Sequence, residues 1–119
     1  MTNQESFDKM IEHIRSLKGR SLDKGDVICA YNGTMCAVGA LMTDEEQEKF
    51  GDSESDVSCL LTDMREVGHK STLHRLNSVL LEDMQTLHDN EANWSDNGFD
   101  AEDKAKMIAQ RFNLVYTKP

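Results

Sequence analysis

The sequence predicts a mainly α, α+β domain: a compact bundle of four to five helices with one small β-hairpin packed on its side. Three observations lead there. Apolar residues recur at i, i+3, i+4 and i+7 in several separate stretches, the spacing of one helix face. The dipeptide Asn32-Gly33 lies between two short runs, Val27-Ile28-Cys29-Ala30-Tyr31 and Thr34-Met35-Cys36-Ala37. Both of its residues tolerate positive φ, which makes it the strongest short-range hairpin signal. Finally, 119 residues that are 38% apolar and 29% charged suffice for one core and not for two, so residues 1–119 read as a single globular domain.

Taken in order, Phe7, Met10, Ile11, Ile14 and Leu17 define a first amphipathic helix from about Gln4 to Leu17, closed by Gly19. The segment from Arg20 to Gly25 is polar, and the hairpin follows it. A two-residue turn sets Tyr31 opposite Thr34, Ala30 opposite Met35 and Cys29 opposite Cys36. Such a hairpin is marginal alone and must pack on helices. Thr43 and Glu46 have capping-box spacing, and Asp44 and Glu45 suit the positive end of a helix dipole, so a short helix runs from Asp44 to near Gly51. Val57, Leu60, Leu61, Met64 and Val67 give the next helix, capped by Ser55 or Asp56 and ended by Gly68. Ser71 caps the longest expected helix, whose stripe of Leu73, Leu76, Val79, Leu80, Met84 and Leu87 places it at the centre of the core. After the polar loop HDNEANWSDNGFD, a last helix from about Ala101 to Asn113 turns Ala105, Ile108 and Phe112 inward, and Leu114-Val115-Tyr116 forms a closing strand or an extended tail.

Charge narrows the function. The net charge is -9, and it is clustered: Thr43 to Asp63 holds eight acids against Lys49 alone, and Glu82 to Asp103 holds eight acids and no Lys or Arg. That surface repels phosphate backbones and anionic headgroups, which argues against direct nucleic-acid or membrane binding and for a basic partner or a cation. Three cysteines make no disulfide framework and fit a reducing compartment. MTNQESFDKM lacks a basic segment leading into an apolar one, so a cytoplasmic protein is expected. No cofactor motif is present, and none is expected.

Four sets of residues carry candidate chemistry. Cys36 with His88 and Asp89 has the types needed for a thiol nucleophile, its base and an orienting carboxylate, although free cysteine among small residues is more often packing. Cys29, Cys36, Cys59, His69, His74 and His88 include zinc-ligand types, but the Cys29 to Cys36 gap is wider than a knuckle, and His69 and His74 read as solvated residues of an interhelix turn. The twelve residues Asp89 to Asp100 place Asp89, Glu91, Asn93 and Asp100 as in a calcium loop, but with Trp94 where that loop needs glycine. There the alternative is a solvated connection whose Trp94 and Phe99 tuck onto the core or meet a partner. Lastly, Asp44, Glu45, Glu46, Glu48, Asp52, Glu54, Asp56, Asp89, Glu91, Trp94 and Asp96 form the expected partner-binding set. Rows of carboxylates can imitate nucleic-acid phosphates in a basic groove, or merely keep a small protein soluble.

The segment Cys29-Ala30-Tyr31-Asn32-Gly33, then Cys36-Ala37-Val38-Gly39-Ala40-Leu41-Met42 with Thr43-Asp44-Glu45, and downstream Leu87-His88-Asp89, resembles a group of small uncharacterised phage and prophage proteins. These carry a C-A-(I/V)-G-x-(L/I) stretch, an acidic pair and a later His-Asp at a helix end. Thr43 stands here where they have proline, and the glycine turn is shorter. The resemblance implies context and no activity: a phage accessory protein in bacterial cytoplasm acting on a host component. Together with the charge, it leads to the expectation of a small acidic protein that binds a basic surface of a host protein, as inhibitor or nucleic-acid mimic. The competing readings are a thiol enzyme and a degenerate metal module.

Overall fold

The computed structural model describes residues 1–17, 22–23, 26–27, 30–31, 34–50 and 56–119. It is mainly helical, as predicted, with five α-helices and three two-stranded antiparallel ladders among the described residues. Helix α1 (Asn3–Ser16) starts at Thr2, whose hydroxyl accepts the Glu5 amide while the Glu5 carboxylate accepts the Thr2 amide. Its inward stripe is the predicted one: Phe7, Met10, Ile11 and Ile14 are all buried. Removing each such side chain from water contributes roughly 1.5–3 kcal/mol.

Strands β1 (Leu22–Asp23) and β2 (Asp26–Val27) pair with Leu22 opposite Val27. The sequence reads Arg20 to Gly25 as a polar connection and places Val27 in the Asn32-Gly33 hairpin; Val27 pairs with Leu22, a ladder missed because two-residue strands are too short to show an alternation. Strands β3 (Ala30–Tyr31) and β4 (Thr34–Met35) pair in the predicted register, Tyr31 opposite Thr34 and Ala30 opposite Met35. Gly19, Cys29 and Asn32-Gly33 lie outside the described residues. The chain then runs inward: Cys36, Ala37, Val38, Gly39, Ala40, Leu41 and Met42 are all buried, with Gly39–Leu41 as one 3-10 turn. Small residues here let the backbone approach α1 closely.

Helix α2 (Asp44–Phe50) carries the predicted capping box, Glu46 N–H to Thr43 Oγ1 at 3.1 Å and Thr43 N–H to Glu46 Oε1 at 3.0 Å. Helix α3 (Val57–Glu66) is capped by Asp56, which accepts the Cys59 amide at 2.8 Å. It ends in a Schellman motif around Gly68 at φ +74°: the Gly68 amide bonds Arg65 O and the His69 amide bonds Met64 O. Asn113 (φ 55°) ends the last helix in the same way.

One expectation is corrected. Ser71 caps a single 3-10 turn, Thr72–Arg75, rather than the long helix; α4 (Ser78–Asp89) starts afresh at Asn77, whose carboxamide accepts the Val79 and Leu80 amides. At the break the Asn77 carboxamide bonds the backbone, and Asn3 Oδ1, from α1, takes the Asn77 amide that a continuing helix would use. Val79, assigned by spacing to the inner stripe, is consequently 39% exposed, while Leu81 is buried. The central role of α4 holds: it packs against α1, α3 and α5, and Leu80, Leu81, Met84 and Leu87 enter one cluster with residues of all three.

Beyond α4, a 3-10 turn (Glu91–Asn93) leads to β5 (Trp94–Ser95) and β6 (Gly98–Phe99), then α5 (Glu102–Arg111). Leu114 to Thr117 is an extended tail, not a strand. It is tied to α1 by Val115 N–H to Gln4 Oε1 (2.8 Å) and Gln4 Nε2 to Val115 O (3.0 Å). Arg15 grips Glu102 with two bonds and also reaches Thr117 O, while Tyr116 donates its hydroxyl to Glu102. Burial pushes the Glu102 carboxyl up, but the bonds from Arg15 and Tyr116 outweigh it, so its pKa lies below the ordinary value. No described helix is long and apolar enough to cross a membrane.

Candidate functional site

The candidate thiol site depends on how the C-terminal end of α4 meets the small-residue seam. The Gln85 carboxamide spans them: its Oε1 accepts the Val38 amide at 3.1 Å and its Nε2 donates to Asp89 Oδ1 at 2.9 Å. The same carboxylate oxygen accepts from His88 Nδ1 at 2.7 Å. Gln85, His88 and Asp89 thus form one hydrogen-bonded group that reaches Val38 in the seam, and Cys36 lies in the same buried core. The chemistry does not follow, because Cys36 and His88 are both 0% exposed. Trp94 closes the site, its indole N–H bonding His88 O at 2.8 Å and its ring standing edge-on to the imidazole at 6.0 Å. A buried amide and a buried imidazole are satisfied internally, as buried polar groups must be.

The loop from Asp89 to Asp100 does not form the calcium arrangement. Asn93 is buried, donates Nδ2–H to Leu87 O at 2.9 Å, and gives its oxygen to the Lys104 ammonium at 2.6 Å. A lysine thus holds one of the oxygens that a cation would need, and Asp89 is engaged by His88 and Gln85. Among the described residues no group of three or more His, Cys, Asp or Glu is placed to hold a metal. Trp94 and Phe99 stack edge-to-face at 5.6 Å against the core, which is the inward alternative.

Of the partner-binding set, the fold leaves a part. Glu46 is 3% exposed, which removes it: its oxygens take the Thr43 amide, the Ser71 hydroxyl and His69 Nε2–H at 2.8 Å. Burial pushes that carboxyl up, but the three donors outweigh burial and hold it below the usual carboxylate range. Glu45 pairs with Lys49, Asp56 caps α3, and Asp89 and Trp94 serve the His88 network. Asp52 and Glu54 lie outside the described residues. Asp44, Glu48, Glu91 and Asp96 remain exposed with no ion pair among the described residues, as do Asp100 and Asp103. The block from Glu82 to Asp103 is partly neutralised from elsewhere in the chain, Asp83 by Arg111 and Glu102 by Arg15.

His69 and His74 are not the solvated turn residues that their position suggested. His74 donates Nε2–H to Leu61 O at 3.0 Å and accepts the Ser71 amide on Nδ1 at 3.3 Å, so both nitrogens are used in fixing the turn. His69 bonds Glu46 through Nε2 and packs on Phe50 at 5.5 Å. Both line a surface pocket of about 540 Å³ together with Arg65, Lys70 and Arg75. The only signal for it in the sequence is the basic island from Arg65 to Arg75, with Glu66 its single acid. Compared with protein-family models, curated proteins and solved structures, the chain matches none.

Proposed function

We propose that the protein is a non-enzymatic binding protein whose exposed carboxylates engage a basic surface of a partner protein, in a bacterial host if the resemblance to phage proteins holds. The observation that carries this reading is the set of exposed acids that hold no ion pair among the described residues: Asp44 and Glu48 on α2, and Glu91, Asp96, Asp100 and Asp103 around the β5–β6 ladder and the start of α5. Such charges contribute little to the fold and are positioned to steer association. Where the partner binds nucleic acid, the carboxylates stand in for phosphates. The thiol-enzyme alternative is disfavoured because Cys36 and His88 are both fully buried.

The test is retention of proteins from bacterial lysate on the immobilised protein at low and high salt, with Asp44→Asn/Glu48→Gln and Glu91→Gln/Asp96→Asn as companions. A defined protein held at low salt, shed at high salt and lost with one neutralised pair supports the reading and locates the face. Retention indifferent to both pairs, or no specific protein at either salt, overturns it.

A further inference from the structure

We infer that the pocket between α3 and α4 is a binding site for a small phosphate-bearing ligand. The turn is built for presentation. The Schellman motif at Gly68 ends α3, the 3-10 turn follows, and Arg65, Lys70 and Arg75 line one pocket. In a chain with 22 acids and 13 Lys and Arg, no carboxylate of the described residues lines this pocket. Arg65, Lys70 and Arg75 are exposed and hold no ion pair among the described residues, whereas Arg15, Lys49 and Arg111 all do. Cations left unpaired around a concavity, in a protein with acids to spare, are free to meet an anion from solution.

His69 adds a second, independent feature. Its carboxylate partner is buried behind it and takes Nε2–H, so the ring is oriented and the nitrogen that remains for a ligand is Nδ1. His69 stays 20% exposed at the pocket wall. Two guanidinium groups and an ammonium are the donors that hold a phosphate group, and the oriented imidazole joins them when it is doubly protonated, since Nδ1 of the neutral ring is an acceptor. The volume suits a small molecule rather than a macromolecular surface. A polyanion is disfavoured for a physical reason: it would extend beyond the pocket over acidic surface, while at physiological salt a screening length of about 8 Å shields a small ligand from those distant charges.

The test is titration of the full chain, followed by amide NMR shifts, with inorganic phosphate and separately with a short single-stranded oligonucleotide. Saturable shifts confined to residues 65–75 are expected with phosphate. Replacing Arg65→Gln, Lys70→Gln and Arg75→Gln together should abolish them, each single change weakening binding roughly tenfold, the loss of one charge-assisted bond. Arg111→Gln, a cation outside the pocket, should leave them unchanged, and circular dichroism shows whether each variant folds. No saturable shifts, shifts that persist in the folded triple variant, or tighter binding of the oligonucleotide would each overturn the assignment.

Discussion

Two histidines, each bonded to a carboxylate, sit at opposite ends of the α4 approach and are arranged in reverse. At the C-terminal end His88 is 0% exposed and its partner Asp89 reaches solvent with a 37% exposed side chain. At the α3–α4 turn the carboxylate of Glu46 is inside, at 4%, and His69 is the member that reaches solvent, at 20%. The same pair of residue types therefore does two jobs. Where the imidazole is inside, the pair satisfies buried groups and joins α4 to the small-residue seam. Where the carboxylate is inside, it orients a ring that faces out, and only that ring can meet a ligand.

The contrast makes His88→Ala the most damaging change. It opens a cavity beneath Trp94 and strands polar neighbours, lowering stability by about 3 kcal/mol in chemical denaturation, whereas His69→Ala should lower it by about 1 kcal/mol. Equal losses would erase the distinction. Next comes Glu46→Ala, which leaves the Thr43 amide, the Ser71 hydroxyl and His69 without their acceptor and should lower stability by about 2 kcal/mol.

The same carboxyl gives a pH signature. Its folded pKa is depressed, so its contribution is present above the unfolded value of roughly 4.3 and is lost as pH falls through the folded value. Denaturation midpoints should fall more steeply below pH ~4 in the parent than in Glu46→Gln. A smaller effect comes from Gly68→Ala. Nothing lies within 4 Å of the added methyl, so its penalty of about 1 kcal/mol is purely that of left-handed backbone. The smallest is Glu45→Gln on the exposed Lys49 pair, which should leave the midpoint unchanged. Alkylation of the native protein with iodoacetamide, mapped by peptide, completes the comparison. Cys59 is exposed and should react, slowed by the Asp56 carboxylate that pushes its thiol up, while Cys36 stays protected until the protein unfolds.

Much of the fold was legible because its signals are local. The α1 stripe, the Thr43 box, the Asp56 cap, the Gly68 stop and the β3–β4 register each rest on residues within a few positions of one another, where propensity and capping decide. The long helix assigned to Ser71 through Leu87 failed at Asn77, because a periodic stripe continues across a break when Leu73 and Leu76 point inward from a 3-10 turn just as they would from a helix. The spacing could not reveal that Asn3, from the first helix, would take the amide at that break.

The candidate sites show the same limit more sharply. Sequence alone fixed the residue types, the acid blocks and the small-residue seam, since these need only counting and neighbours. Tertiary structure decided what each could do. Cys36 and His88 are closed to solvent; Glu46, counted among the surface acids, is an internal acceptor; and His69, read as a turn residue, faces a basic pocket. Burial and partnership are properties of residues far apart in the chain: Gln85 reaches back to Val38, and Glu46 forward to His69. The energies that set a side chain's role, desolvation above all, exist only once those distant segments have met.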